Sequence, residues 1–244
     1  CRRATDDTAV ADEPVGTTSA PPRSTAAPEP ASPEPVPSVP TRTVVARAEI
    51  DRIPVYARAD SVDADRVLDR RDEIGEQLVF VVDEQATDDT GRHRVQLPVR
   101  PNGSTGWIPA DAVSLSEHHF AVAVELSAHR LTLYAAGEVE LEAPVGVGTA
   151  STPTPGGSYY IKELLQPPRP DGPYGTYAYG LSGFSNVLTS FGGGDGVIGI
   201  HGTNEPDRIG QDVSHGCIRV RNEVIESMVD GIGLPLGTPV LIFA

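Results

Sequence analysis

The chain has 244 residues, with 19 Lys and Arg against 34 Asp and Glu and a formal net charge of −15. Phosphate recognition needs clustered cations, so this balance argues against a nucleic-acid binder and suits a solvated protein that repels polyanions. No apolar run approaches the ~20 residues of a membrane-spanning helix, and the length allows one large domain or two small ones.

The sequence begins at Cys1, without Met, and continues as a polar run rich in Pro, Ala, Thr and Ser. Mature bacterial lipoproteins look like this, which implies a lipid on Cys1, attachment to the outer face of the membrane and an extracytoplasmic location. A chain simply trimmed at that position would look the same. Nine prolines fall within the first forty positions. Residues 1–43 are therefore expected to be a disordered tether, since such a composition buries too little apolar surface to offset its ordering entropy.

Residues 44–115 change character. Short β-prone runs, Val44–Ala48, Ile53–Tyr56, Gln77–Val82, Arg92–Leu97 and Gly106–Pro109, are separated by turn signals at 88–91 and 102–104. Five such strands suggest a small barrel, and the Gly106-Trp-Ile-Pro-Ala-Asp-Ala-Val113 ending resembles bacterial SH3-like domains. Trp107 is expected as its buried aromatic anchor, and His93 as a surface residue.

Residues 116–244 open with two alternating arms, Phe120–Leu126 and His129–Tyr134, which mark a hairpin. Further strands are expected at Val139–Ala143, Ser158–Glu163 and Thr238–Phe243, with a Thr152-Pro-Thr-Pro-Gly-Gly157 turn between the first two. Residues 166–194, rich in Pro, Gly and Tyr, show little periodicity and read as an irregular lid or substrate-lining loop. Asn222 is placed to cap a short helix from Glu223 to about Asp230, with Val224, Ile225, Met228 and Val229 on its apolar side. The whole is mostly β, with one clear helix and no βαβ rhythm.

The chemistry concentrates in Val197–Val220, which holds one of two cysteines and two of six histidines. Two apolar strand ends would deliver His201 and Cys217 to a common surface. A cysteine attacks as thiolate, so it needs a base and a group that orients that base. His201 is the candidate base, with the Gly202 carbonyl or Thr203 hydroxyl orienting its ring. The Ser214-His215-Gly216-Cys217 turn is a plausible oxyanion hole, although His215 could itself serve as base. Zinc is an alternative, with Asp212 or Glu205 completing a site, but no CxxC or HxxxH spacing is present. No metal or other cofactor is expected.

His201-Gly-Thr, a loop, then Ser214-His-Gly-Cys-Ile-Arg-Val220 resembles the signature of the L,D-transpeptidase (YkuD-type) catalytic domain. Leu131–Tyr134, Pro144–Gly148, Thr152–Gly156 and Gly237–Val240 agree with it, so the resemblance covers Glu117 to Phe243. It implies a β-sandwich-like fold and an exported enzyme acting on peptidoglycan tetrapeptide stems. Such enzymes form 3→3 cross-links by acyl transfer through a cysteine thioester, and carbapenems acylate that cysteine. Carried over, Cys217 is the nucleophile, His201 the base and Gly202 its orienting carbonyl, while Ser214, His215, Gly216 and Cys217 shape the oxyanion turn. Arg219 becomes a structural or substrate-carboxylate contact, and Tyr174, Tyr177 and Tyr179 fall where the family has its substrate-covering loop. A monomer is expected. The competing functions are a non-catalytic wall-binding lipoprotein and an L,D-carboxypeptidase using water as acceptor.

Overall fold

The computed structural model describes residues 38–86, 90–190 and 194–244. Cys1 and almost all of the expected tether lie outside the described residues. Seven strands come first: β1 (Thr43–Ala48), β2 (Arg52–Val55), β3 (Arg66–Asp69), β4 (Val79–Val82), β5 (Arg92–Gln96), β6 (Thr105–Pro109) and β7 (Val113–His118). Five of them form an antiparallel sheet in the order β6-β5-β4-β1-β7, and β2 and β3 form a separate ribbon. The ribbon is tied to β6 by paired backbone hydrogen bonds between Tyr56 and Trp107, each 2.8 Å. Alternation places Ile53, Val55, Phe80, Val95 and Ile108 in one core. Trp107, flanking Ile108 on the opposite face, is only half-buried and is not the expected anchor.

The second half contributes β8 (Phe120–Glu125), β9 (Arg130–Ala135), β10 (Glu138–Pro144), β11 (Val147–Gly148), β12 (Gly157–Leu165), β13 (Ala178–Phe184), β14 (Val197–His201), β15 (Asp212–Ser214), β16 (Ile218–Arg219), α1 (Asn222–Glu226) and β17 (Pro239–Phe243). Eight strands form a mixed sheet in the order β10-β9-β8-β17-β12-β13-β14-β16, and β11 pairs with β15. Within the eight-stranded sheet the β17–β8 and β14–β16 contacts are parallel and the others antiparallel, and the β11–β15 pair is parallel. α1 continues as a π-helical turn over Ser227–Gly231 and seats Ile225 and Met228 in the core beside Leu181, Ile200 and Val220. The fold is thus mostly β with one short α-helix, and no helix among the described residues is long and apolar enough to cross a membrane.

Two further expectations change. The helix begins one residue earlier, with Arg221 at the cap position and no side-chain capping bond, because the Asn222 amide is engaged elsewhere. The stretch read as irregular over 166–194 contains β13, a central strand that is almost wholly buried. Its glycines hide it: a Cβ on Gly183 would sit 2.4 Å from the Tyr159 ring, and one on Gly180 would strike the Glu163 carboxylate. Close packing across the sheet, not chain flexibility, calls for glycine there.

Residues Pro37–Ala244 form one compact unit. Tyr160 of β12 is fully buried against Val45 and Val79 of the N-terminal sheet, and its hydroxyl donates to the Val79 carbonyl at 2.9 Å. The Gln96 amide donates to the Ser158 carbonyl at 2.6 Å in the same seam.

Candidate active site

β14 ends on His201, and β16 lies parallel to it with Ile200 opposite Ile218 and His201 opposite Arg219. Burial of Ile198, Ile200 and Ile218 fixes both strands. One step before Ile218, Cys217 falls level with Gly199, whose backbone amide is hydrogen-bonded to the sulfur. His201 and Cys217 therefore reach one cleft of ≈ 390 Å³, and they also line an adjoining pocket of ≈ 110 Å³ with His215 and Arg219.

The His201 Nδ1 lies 2.6 Å from the Gly202 carbonyl oxygen. A carbonyl only accepts, so Nδ1 carries the proton and Nε2 keeps the lone pair a base needs. That carbonyl is held in turn by its neighbours. The Gly202 amide donates to the Tyr177 carbonyl at 3.2 Å, and the Thr203 amide donates to Asn222 Oδ1 at 2.9 Å. Gly175, at φ +65°, packs beneath them, and a Cβ there would lie 2.1 Å from Asn222 Oδ1 and 2.6 Å from the Gly202 Cα. Asn222 and Gly175 thus support the base from behind.

Electrostatics set the resting protonation. Burial pulls the His201 pKa down to about 4; the Gly202 hydrogen bond opposes this, and the Arg219 charge adds to it. Burial also pushes the Cys217 thiol up, against the Gly199 hydrogen bond and Arg219. Near neutral pH the cleft therefore holds a thiol and a neutral imidazole, not an ion pair.

The turn between β15 and β16 is built around Ser214. Its hydroxyl donates to the Cys217 carbonyl at 2.5 Å and accepts the Gly216 amide at 3.1 Å. Gly216 has φ +118°, a conformation that favours glycine, as the tight turn requires. Its amide is nonetheless committed to Ser214, so it does not point a donor into the cleft. Arg219 donates to Glu205 at 2.8 Å, while its buried Nε has no hydrogen-bond partner among the described residues.

Of the three tyrosines, Tyr174 packs on the base, its ring edge-on to His201 with centroids 4.9 Å apart. The Tyr177 hydroxyl donates to Asp230 at 3.2 Å, beside the turn that follows α1. Tyr179 is a core residue whose hydroxyl donates to the Leu234 carbonyl at 3.1 Å. Asp212 pairs with His129 at 2.8 Å and Glu205 with Arg219, so neither completes a ligand set around Cys217. Among the described residues no group of three His, Cys, Asp or Glu is placed to hold a metal.

The family model of the L,D-transpeptidase catalytic domain, YkuD, matches residues 119–242. The chain belongs to this family. The YkuD proteins of Bacillus licheniformis and Bacillus subtilis are 35% and 36% identical to it over 123 residues, 50% of this chain and 65% of each relative. The match thus spans just under two thirds of the length of those relatives. Among solved structures, an L,D-transpeptidase from Mycobacterium smegmatis aligns with a TM-score of 0.43 at 18% identity, covering 68% of this chain and 90% of that one. Within the L,D-transpeptidase match, Asn222 is the supporting residue that motif reading missed. Its position two residues beyond Val220 was visible, but its contact with Thr203 was not.

Proposed function

We propose that this chain is a cysteine-dependent L,D-transpeptidase that joins peptidoglycan stems by 3→3 cross-links. The observation that carries this reading is Cys217 sharing one cleft with a neutral His201 whose Nδ1–H is tied to the Gly202 carbonyl. In the first step Sγ attacks the carbonyl carbon of the third stem residue while Nε2 takes the thiol proton. The oxyanion that forms is stabilised by amides of the Ser214–Cys217 turn, with the Cys217 amide as principal donor because that of Gly216 is committed. Collapse breaks the bond to the fourth residue, whose amine leaves with the proton from His201. The thioester then accepts an amine from a second stem. His201 takes the amine proton, an amide forms, and Cys217 leaves and is reprotonated. Cys217 and His201 supply nucleophile and base and backbone amides supply the donors, so no cofactor is assigned.

Residues 44–115 fit an SH3-like module, supported by the five-stranded antiparallel sheet and the β2–β3 ribbon, and 116–244 a catalytic domain. The substrate class would place the protein in the cell envelope. Incubation with a carbapenem is expected to add the drug's mass to the wild type and nothing to Cys217→Ala. An adduct surviving in that variant would sink the assignment.

A further inference from the structure

The loop between β5 and β6 reaches out of the N-terminal sheet and grips the last residue of β13 and the segment that follows it. Asn102 pairs with Phe184 as another strand would, donating to its carbonyl at 2.8 Å and accepting its amide at 2.9 Å. Arg100 spreads its guanidinium over three carbonyls: Ser185 at 3.0 Å, Leu188 at 3.2 Å and Asp195 at 2.9 Å. The same guanidinium lies 4.9 Å from the centre of the Phe184 ring.

Those carbonyls belong to the two ends of the β13–β14 connection. The ends are drawn together by the Ser185 amide donating to the Gly196 carbonyl at 2.8 Å, and a Cβ on Gly196 would lie 2.2 Å from the Leu188 oxygen. Ser185, Leu188 and Gly196 then line the small pocket that holds Cys217 and His201, and Pro98 and Val99 of the gripping loop line the wider cleft. One rigid fork thus bonds both ends of a wall of the reaction site. A lysine, a single compact point charge, cannot reproduce that fork.

We propose that Arg100 and Asn102 are positioning residues for acyl transfer, which makes the N-terminal sheet a working part of the catalytic site. They act through the Phe184–Leu188 and Asp195–Val197 backbone, which shapes the pocket a stem must enter, and touch neither thiol nor imidazole. The proposal rests on the acyl-transfer reading for its kinetic consequence but not for its structural one.

The test uses the full chain with Arg100→Ala, Arg100→Lys and Asn102→Ala. Hydrogen exchange at the amides of 184–188 and 195–197 should quicken at least about tenfold in all three, with β8 and β9 unchanged. Acylation by a tetrapeptide stem should lose about 10- to 100-fold in kcat/KM, the scale of a small misplacement, mostly as a higher KM. Alkylation of Cys217 by iodoacetamide, which needs no pocket wall, should change less than about threefold. Arg100→Lys should fail to rescue. Wild-type exchange at those amides would overturn the proposal whatever the substrate proves to be. So would wild-type stem kinetics, or alkylation falling in step with acylation, which would mark a general folding role. If the wild type itself never acylates, the transpeptidase reading fails, and the exchange measurement still decides whether the grip exists. If Arg100→Ala does not fold, Asn102→Ala decides on the same measurements.

Discussion

Gly175→Ala tests how His201 is held, because the added methyl has nowhere to go. Its Cβ would lie 2.1 Å from Asn222 Oδ1, 2.6 Å from the Gly202 Cα and 2.7 Å from the Gly202 carbonyl carbon. Two of these are backbone atoms, so rotating one side chain does not relieve the overlap. The left-handed φ of +65° adds about 1–2 kcal/mol for any residue with a Cβ. Overpacking of this kind costs a further ~1–3 kcal/mol. The chain can absorb the strain as lost stability or by pushing Gly202 away, and the second route moves the carbonyl that binds Nδ1. Urea unfolding together with the rate of Cys217 acylation by a carbapenem separates the two. The expected result is a stability loss of about 2–5 kcal/mol, at least a tenfold slower acylation, or both. A variant within about 0.5 kcal/mol of wild type that acylates at the wild-type rate would refute this account of the base.

His201 also makes stability depend on pH. Above about 6.5 the imidazole is neutral in both states; below it the unfolded chain takes up a proton that the folded chain refuses until about 4. Stability should therefore fall by up to about 3 kcal/mol between pH 7 and pH 4 relative to His201→Gln, and parallel pH profiles for the two proteins would contradict the buried neutral ring. For the same reason, acylation by a carbapenem should retain a neutral base down to about pH 5, with its acid limb well below 6.5. Tyr160→Phe removes the buried hydroxyl that donates to the Val79 carbonyl and should cost about 1–2 kcal/mol in chemical denaturation. An unchanged midpoint would show that the bond contributes nothing net to the seam.

The hairpin β8–β9 was legible because alternation over Phe120–Leu126 and His129–Tyr134 picks out Val122, Val124, Leu131 and Leu133, which share one core. The motif around Cys217 was legible for a different reason: its residue types at their spacing specify a chemistry. β13 was not, because its burial depends on glycines that make room for Tyr159 and Glu163, residues of a neighbouring strand. β3 and β7 were missed because neither buries a face: each has few apolar residues, and Val67 and Leu115 among them stay exposed. Tyr174, Tyr177 and Tyr179 looked alike in sequence, and only packing separates one beside His201 from one against Asp230 and one in the core. Asn222 read as a helix cap by local rules, yet a partner nineteen residues away, the Thr203 amide, takes its oxygen. Position along the chain reports residue type and period; it does not report which distant atom arrives.

The central claim is that Cys217 carries the acyl group. Intact-protein mass spectrometry after brief mixing with a tetrapeptide stem tests it directly. A transient adduct equal to the stem without its fourth residue is expected, mapped to Cys217, with the fourth residue released in equal amount. Release of that residue by Cys217→Ala at the wild-type rate, or an adduct mapped to another side chain, would contradict it.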